Sequence, residues 1–299
     1  MDRYTIRTFN QDFPDDDACL GFVKDLVYPD GIICRTCNEV RPHARLSNRK
    51  AYSCDYCGTH VYPLAGTIFE KSSTSLKSWF YAMFLISSTR CGISAKQLER
   101  ELGVTYKPAW RMFNQIRKLM GDDTGMLGGE VEMDETYVGG KEKGVMGRPG
   151  RNSKKVPVFG IVERGGKVAA LVTKDVTRAT VMPIILSKVL PRSLIYTDDY
   201  RVYNPLKASG FGHKRIAHSQ KVYVMGNIHT NTIEGFWSLL KRSISGVYHS
   251  VSAKHLQDYV NEFTFRYNHR ADQRAMFRTV GRNVRGVRSG RYGRYAPIR

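Results

Sequence analysis

Apolar positions recur along this chain in two rhythms, and the switches between them mark its elements. Residues 76–88, LKSWFYAMFLISS, are apolar on almost every side, which predicts a buried helix that Gly92 ends. Residues 93–103 predict a short second helix stopped by a glycine, and 108–120 a third after a turn at 104–107. Leu98, Leu102, Val104, Trp110 and Ile116 supply the apolar stripe of this pair. At 130–138 the period changes to two: Glu130, Glu132 and Asp134 share one face, Val131, Met133 and Glu135 the other, as in a strand. Two further strands, 156–163 and 167–173, flank a hairpin turn at Arg164-Gly165-Gly166. A helix at 179–189, a short buried strand at 193–197, a helical stretch at 200–208 and a strand at 214–218 follow. Residues 228–247, IHTNTIEGFWSLLKRSISGV, begin with the cap residues Thr230, Asn231 and Thr232. Phe236, Leu239, Leu240 and Ile244 then recur at helical spacing. A last helix at 253–269 packs through Tyr259, Phe263, Phe265 and Tyr267.

Composition adds a partner to this picture. With 299 residues, 41% of them hydrophobic, the chain can build two or three cores. Its net charge of +20 would repel itself without an anion nearby, and nucleic acid is the anion that such a surplus fits. No apolar run approaches the length that spans a bilayer. The N-terminus is acidic where a secretory leader would be apolar, so a cytoplasmic, nucleoid-associated protein with reduced thiols is expected. The divisions read as an acidic segment and zinc ribbon at 1–66, a helix-turn-helix at 72–121, a catalytic domain at 128–270 and a basic tail at 271–299. The fold class is multidomain α+β.

Cys34-x2-Cys37 and Cys54-x2-Cys57 have sixteen residues between them. Two such pairs complete a tetrahedral thiolate site with no open position, so structural zinc is expected to hold a segment too polar to fold on its own. His43 and His60 flank the ribbon and are expected not to ligate; Cys19 and Cys91 read as packed thiols. Asp15, Asp16 and Asp17 read as a helix start. The helix-turn-helix pattern puts Lys107, Arg111, Gln115 and Arg117 near a DNA-reading helix. The glycine-rich loop at 139–155 offers Arg148, Arg151, Lys154 and Lys155. The tail, with Arg282, Arg285, Arg288, Arg291 and Arg294 every third residue, reads as disordered and phosphate-seeking.

The acids complete the argument. A face of Glu130, Glu132 and Asp134 is odd inside a core but fits a cation site; an edge strand facing water is the alternative. Strand, hairpin, strand, helix, strand and helix, with acids on the first and fourth strands and a late helix, is the plan of an RNase H-like nuclease core with a mixed sheet. Hard oxygen ligands suit Mg2+ or Mn2+, and two such ions can drive a phosphodiester displacement. Asp134 would bridge both ions, Asp198 hold one and Glu234 the other. Lys241, two turns from Glu234, would contact DNA phosphate.

The motifs CRTC, CDYC, GTIFEKSSTSL, MDETYVGGK, YTDDYRVY and HTNTIEGFWSLLKRSISGVYHSVS resemble the bacterial insertion-sequence DDE transposases with an N-terminal zinc ribbon, the ISXO-type group, over roughly residues 15–270. The resemblance implies cleavage at element ends, attack of the freed 3′-hydroxyl on target DNA, and Asp134, Asp198 and Glu234 as the triad with Lys241 after it. It also implies double-stranded DNA as partner and a homo-oligomer assembled on it. Asp199 and Asn231 are the alternatives at the second and third positions. Asp198 is preferred because it ends the strand, Glu234 because of its spacing from Lys241. Two other classes compete: a zinc-ribbon and helix-turn-helix regulator without catalysis, and an RNase H-like nuclease without strand transfer.

Overall fold

The computed structural model describes residues 4–89, 91–121, 124–140, 153, 155–216, 229–271 and 273–284. They fall into two compact units, one made of residues up to 89, 93–119 and the segment after 271, the other mainly of residues 120–271.

In the first unit, helices α1 (Ile6–Asp12) and α2 (Asp16–Val27) precede two small sheets. Strands β1 (Ile33–Cys34) and β2 (Glu39–Val40) form one; β3 (His43–Arg45), β4 (Tyr52–Cys54) and β5 (His60–Val61) form an antiparallel second. Helices α3 (Leu76–Ser88), α4 (Ala95–Leu102) and α5 (Tyr106–Lys118) follow. Gly103 ends α4 in the left-handed conformation, and α5 begins two residues earlier than its apolar stripe predicts. The three N-terminal aspartates each hold a structural contact. Asp15 caps α2 by accepting from the Ala18 N–H at 2.8 Å. Asp16 accepts from the Lys77 N–H at 2.9 Å in the first turn of α3, and Asp17 pairs with Arg45 at 2.7 Å. Residues after 271 do not begin as an irregular tail: α9 (Gln273–Asn283) forms there, and Arg282 lies on it. Phe277 stacks on Tyr4 at 5.1 Å and meets Phe9, Phe13 and Phe80, which ties α9 into an aromatic core around α3.

The second unit is a five-stranded sheet between two helical layers. Strand β6 (Glu130–Val138) pairs antiparallel with β7 (Val156–Glu163), which pairs antiparallel with β8 (Val168–Val172). On its other side β6 pairs in parallel with β9 (Leu194–Asp198), and β9 with β10 (Gly212–Ile216), giving the order β10-β9-β6-β7-β8. Thus β6 is the central strand, and the water-facing edge alternative is excluded. One face packs Val131, Met133, Phe159 and Ile161 under α6 (Arg178–Lys188) and a 3-10 turn at Arg201–Leu206. The other face packs Val138, Val158, Val162 and Ala170 under α7 (Asn231–Ser243) and α8 (Leu256–Asn268). The period of two read in β6 therefore serves two cores at once. A π-helical turn at Ile244–Tyr248 extends α7, and a 3-10 turn at Ala253–His255 precedes α8.

Candidate active site and metal centre

The sulfurs of Cys34, Cys37, Cys54 and Cys57 all lie within 4.8 Å of one another. Cys34 and Cys57 are 3.4 Å apart and Cys37 and Cys54 4.0 Å, which brackets the roughly 3.8 Å edge of a tetrahedron with about 2.3 Å metal–sulfur bonds. The local sequence explains this convergence. Each Cys-x2-Cys pair closes a tight turn, Asn38 N–H to Cys34 O at 2.8 Å and Gly58 N–H to Cys54 O at 2.9 Å. Asn38 and Gly58 both take the positive φ that glycine and asparagine tolerate. The four-thiol donor set fits zinc. His43 donates its Nδ1–H to the Arg41 carbonyl at 2.7 Å instead, and His60 is exposed on β5. Of the two remaining thiols, Cys19 is buried, with its thiol pushed up to about 12 by burial, but Cys91 is exposed rather than packed.

The carboxylates assemble from three elements. Glu132 on β6 pairs with Tyr196 on β9, and two residues on along each strand stand Asp134 and Asp198. Asp198 is the last residue of β9, where it accepts from the Tyr200 N–H at 3.1 Å; Asp199 is exposed beyond the strand. Burial, with the charges of Glu135 and Asp198 nearby, pushes the Asp134 carboxyl up to about 7. The indole N–H of Trp237 donates to Asp134 at 3.1 Å. That reach needs Gly160, the β7 partner of Asp134, because a Cβ there would stand 2.4 Å from the Trp237 ring.

Glu234 lies one turn before Trp237, exposed in the first turn of α7, and the Thr230 hydroxyl donates to it at 2.9 Å. Asn231 and Lys241 are exposed on the same helix. Among the described residues, the four thiols form the group whose ligand atoms crowd within 4.8 Å; Asp134, Asp198 and Glu234 stand wider apart than that.

The acidic face of β6 does not act as one cation site. Glu130 accepts from Arg164 at 3.1 Å and from the Tyr196 hydroxyl at 3.0 Å. Glu132 is fully buried against Arg164 at 2.8 Å. Only Asp134 of the three remains turned to the junction with Asp198. Arg164, read from the sequence as part of a turn, also stacks over Tyr196 at 3.9 Å and donates to the His229 carbonyl at 2.8 Å. Arg164, Trp237, Thr230 and Gly160 were not legible as site residues. Trp237 three residues after Glu234 is the one available signal, since i and i+3 share a helix face.

The residues expected to touch DNA divide. Lys107 is exposed on α5 and Gln115 half-buried. Arg111 donates to the carbonyls of Glu70 and Lys71 and lies over the Trp79 ring at 5.8 Å, so it braces the segment before α3. Arg117 is buried, its guanidinium over Phe113 at 3.7 Å. Lys155 is half-buried beside β7. Arg148, Arg151, Lys154, Arg285, Arg288 and Arg291 lie outside the described residues.

Comparison with known proteins identifies the family. Residues 126–268 match the ISXO2-like transposase domain, and residues 14–60 the transposase zinc-ribbon domain. An uncharacterized transposase-like protein of Haemophilus influenzae is 36% identical over 102 residues, 34% of this chain and 81% of that protein. The chain belongs to the ISXO2-like DDE transposases. A protein of transposable element ISH50 from Halobacterium salinarum is 28% identical over 271 residues, 85% of this chain and 89% of that one. A chain in a pre-cleavage Mos1 transpososome is 12% identical with a TM-score of 0.28, covering 65% of this chain and 74% of that one, too slight a likeness to carry an argument. The family identity makes the five-stranded unit a DDE catalytic domain and the four-thiol unit its zinc ribbon. Among the described residues, no helix is long and apolar enough to cross a membrane.

Proposed function

We propose that this transposase binds the ends of its element, cuts there, and joins the freed 3′-hydroxyl to target DNA, with Asp134, Asp198 and Glu234 as its metal-binding triad. The observation that supports this most is that the β6–β9 pairing ends at Glu132 and Tyr196, two residues before Asp134 and Asp198, whose charges act on each other there, with α7 bonded to Asp134 through Trp237. The donors are all carboxylate oxygens, which fit Mg2+ or Mn2+. Two ions held there would polarise the phosphodiester and stabilise the leaving oxygen. In this reading Asp134, half-buried on the central strand, would hold both ions, Asp198 one and Glu234 the other. Lys241, two turns along α7 from Glu234, presents a cation to the DNA phosphate. The α4–α5 pair, with Lys107 and Gln115, is the proposed end-reading module. The basic residues of 139–155 and the arginines after 284 would add charge-driven affinity. Action on paired element ends implies a homo-oligomer on DNA, and such a substrate puts the protein at the nucleoid.

The test is a set of purified variants assayed with Mg2+ on a labelled end fragment. Asp134→Asn, Asp198→Asn and Glu234→Gln should each lose cleavage and strand transfer while still binding DNA. Lys241→Ala should slow the reaction without abolishing metal binding, and Asp199→Asn should keep substantial activity. Full activity in Glu234→Gln would remove α7 from the site. Cleavage without joining in the wild-type protein would reduce the reading to a nuclease, and no cleavage at all to a DNA-binding regulator.

A further inference from the structure

We infer that Glu132 is a positioning residue: a buried, non-ligating carboxylate that caps α7 from across the sheet and thereby sets where Glu234 stands relative to Asp134. The inference rests on the proposed triad. A helix begins with N–H groups that lack intrahelical partners, and a nearby Ser, Thr, Asp or Asn side chain usually satisfies them. In α7 the N-cap residue is Thr230, and its side chain makes no capping bond. Glu132, 100 residues earlier in the chain, does this instead. Its Oε2 accepts from the N–H groups of Thr232 at 2.8 Å and Ile233 at 3.1 Å, and its Oε1 accepts from the Thr232 hydroxyl at 2.9 Å. Arg164 Nε donates to Oε1 at 2.8 Å from the far side. A carboxylate at a helix N-terminus also meets the positive end of the helix dipole.

Two consequences follow for the site. Both oxygens of Glu132 are occupied by donors and the residue has no exposed surface, so it offers no lone pair to a metal ion. In addition, Thr230, relieved of capping, donates its hydroxyl to Glu234 Oε1 at 2.9 Å and is itself buried. The clamp on Thr232 and Ile233 thus holds the backbone from which Thr230 orients Glu234. Asp134 sits two residues along β6 from Glu132 on the same strand face, so one strand carries both a proposed ligand and the clamp for its partner's helix.

The variant that tests this is Glu132→Gln. An amide presents one acceptor and one NH2 group, and here both oxygens face donors, so either orientation sets donor against donor. Direct Mn2+ binding by calorimetry to zinc-loaded, full-length protein is the readout, alongside zinc content, thermal melting and cleavage rate. The expected result is Mn2+ affinity lowered about tenfold to hundredfold with unchanged stoichiometry, zinc and DNA binding retained, and cleavage partly restored at high Mn2+. Thr232→Val keeps the carboxylate and both backbone donors, and should weaken Mn2+ less than Glu132→Gln. If Glu132→Gln does not fold, Thr232→Val decides alone: a wild-type affinity overturns the inference. A lowered melting temperature with wild-type Mn2+ affinity would make Glu132 merely structural. Loss of a binding equivalent, as expected for Asp134→Asn, would make it a ligand. Wild-type Mn2+ binding and cleavage in Asp134→Asn would instead overturn the proposed triad, and the clamp's role with it.

Discussion

Asp134 carries the largest electrostatic consequence at the scale of single residues. Its carboxyl is pushed up to about 7 by burial and by neighbouring acids, so the folded protein retains a proton that the unfolded chain releases near 3.8. For an acid with a raised folded pKa, the associated stability is present below the unfolded value and is lost as pH rises to the folded one. At about 1.4 kcal/mol per unit, Asp134→Asn should stabilise the Mg2+-free protein more at pH 8 than at pH 5, by about 2–3 kcal/mol. Urea titrations followed by tryptophan fluorescence check this; an equal effect at both pH values refutes it. The same proton would compete with a cation at the proposed site, so Mn2+ affinity of the wild-type protein should fall as pH drops below about 7. Gly160 gives a second residue-scale prediction. A methyl group there meets the Trp237 ring at 2.4 Å and the Ile233 side chain at 2.9 Å, so Gly160→Ala must displace the Trp237 ring from its bond to Asp134 or lift α7 with it. The expected cost is on the order of 1–3 kcal/mol, with cleavage reduced and DNA binding kept in gel-shift assays.

At the scale of elements, the zinc ribbon and α7 depend on different kinds of partner. The ribbon strands are two or three residues long and bury little apolar surface, so the metal must supply their stability. Reduced, freshly purified protein should therefore hold one tightly bound zinc. Cys54→Ser should lose it and unfold the ribbon while leaving the β6–β10 sheet intact, as metal analysis and amide exchange would report. Helix α7, by contrast, is held by buried Ile233, Phe236, Trp237 and Leu240 over the sheet and by the Glu132 cap. Its register on β6 is set by packing, so it should tolerate loss of zinc.

At the scale of the whole molecule, the chain returns to its first unit after completing the second. Phe277 and Val280 of α9 are buried there, so a truncation that removes residues from 272 onward should destabilise the unit around α3. Ending the chain after Val284 should spare that core and remove only the last arginines. Binding to all DNA should then weaken about equally, with a shallower dependence on salt, because phosphate contacts release counterions without reading bases. Selective loss of element-end binding in a gel-shift series would show that these arginines read sequence.

Local chemistry was readable from the chain alone because it depends on neighbours a few residues away. Four cysteines at fixed spacing, a period of two at 130–138, an acid closing the next parallel strand and a helical stripe after Thr230 all follow from backbone geometry. Periodicity states which residues share a face, but not what covers that face. Tertiary structure alone separated Glu130, Glu132 and Asp134 into a surface ion pair, a helix cap and a residue at the carboxylate junction, because Arg164 and Thr232 approach from other elements. It likewise buried Arg117, gave Arg111 partners in the carbonyls of Glu70 and Lys71, and made α9 part of a core instead of a tail. In each case the deciding partner is remote in sequence, and whether a charge meets water, a cation or a buried donor depends on which surfaces the folded chain brings against it.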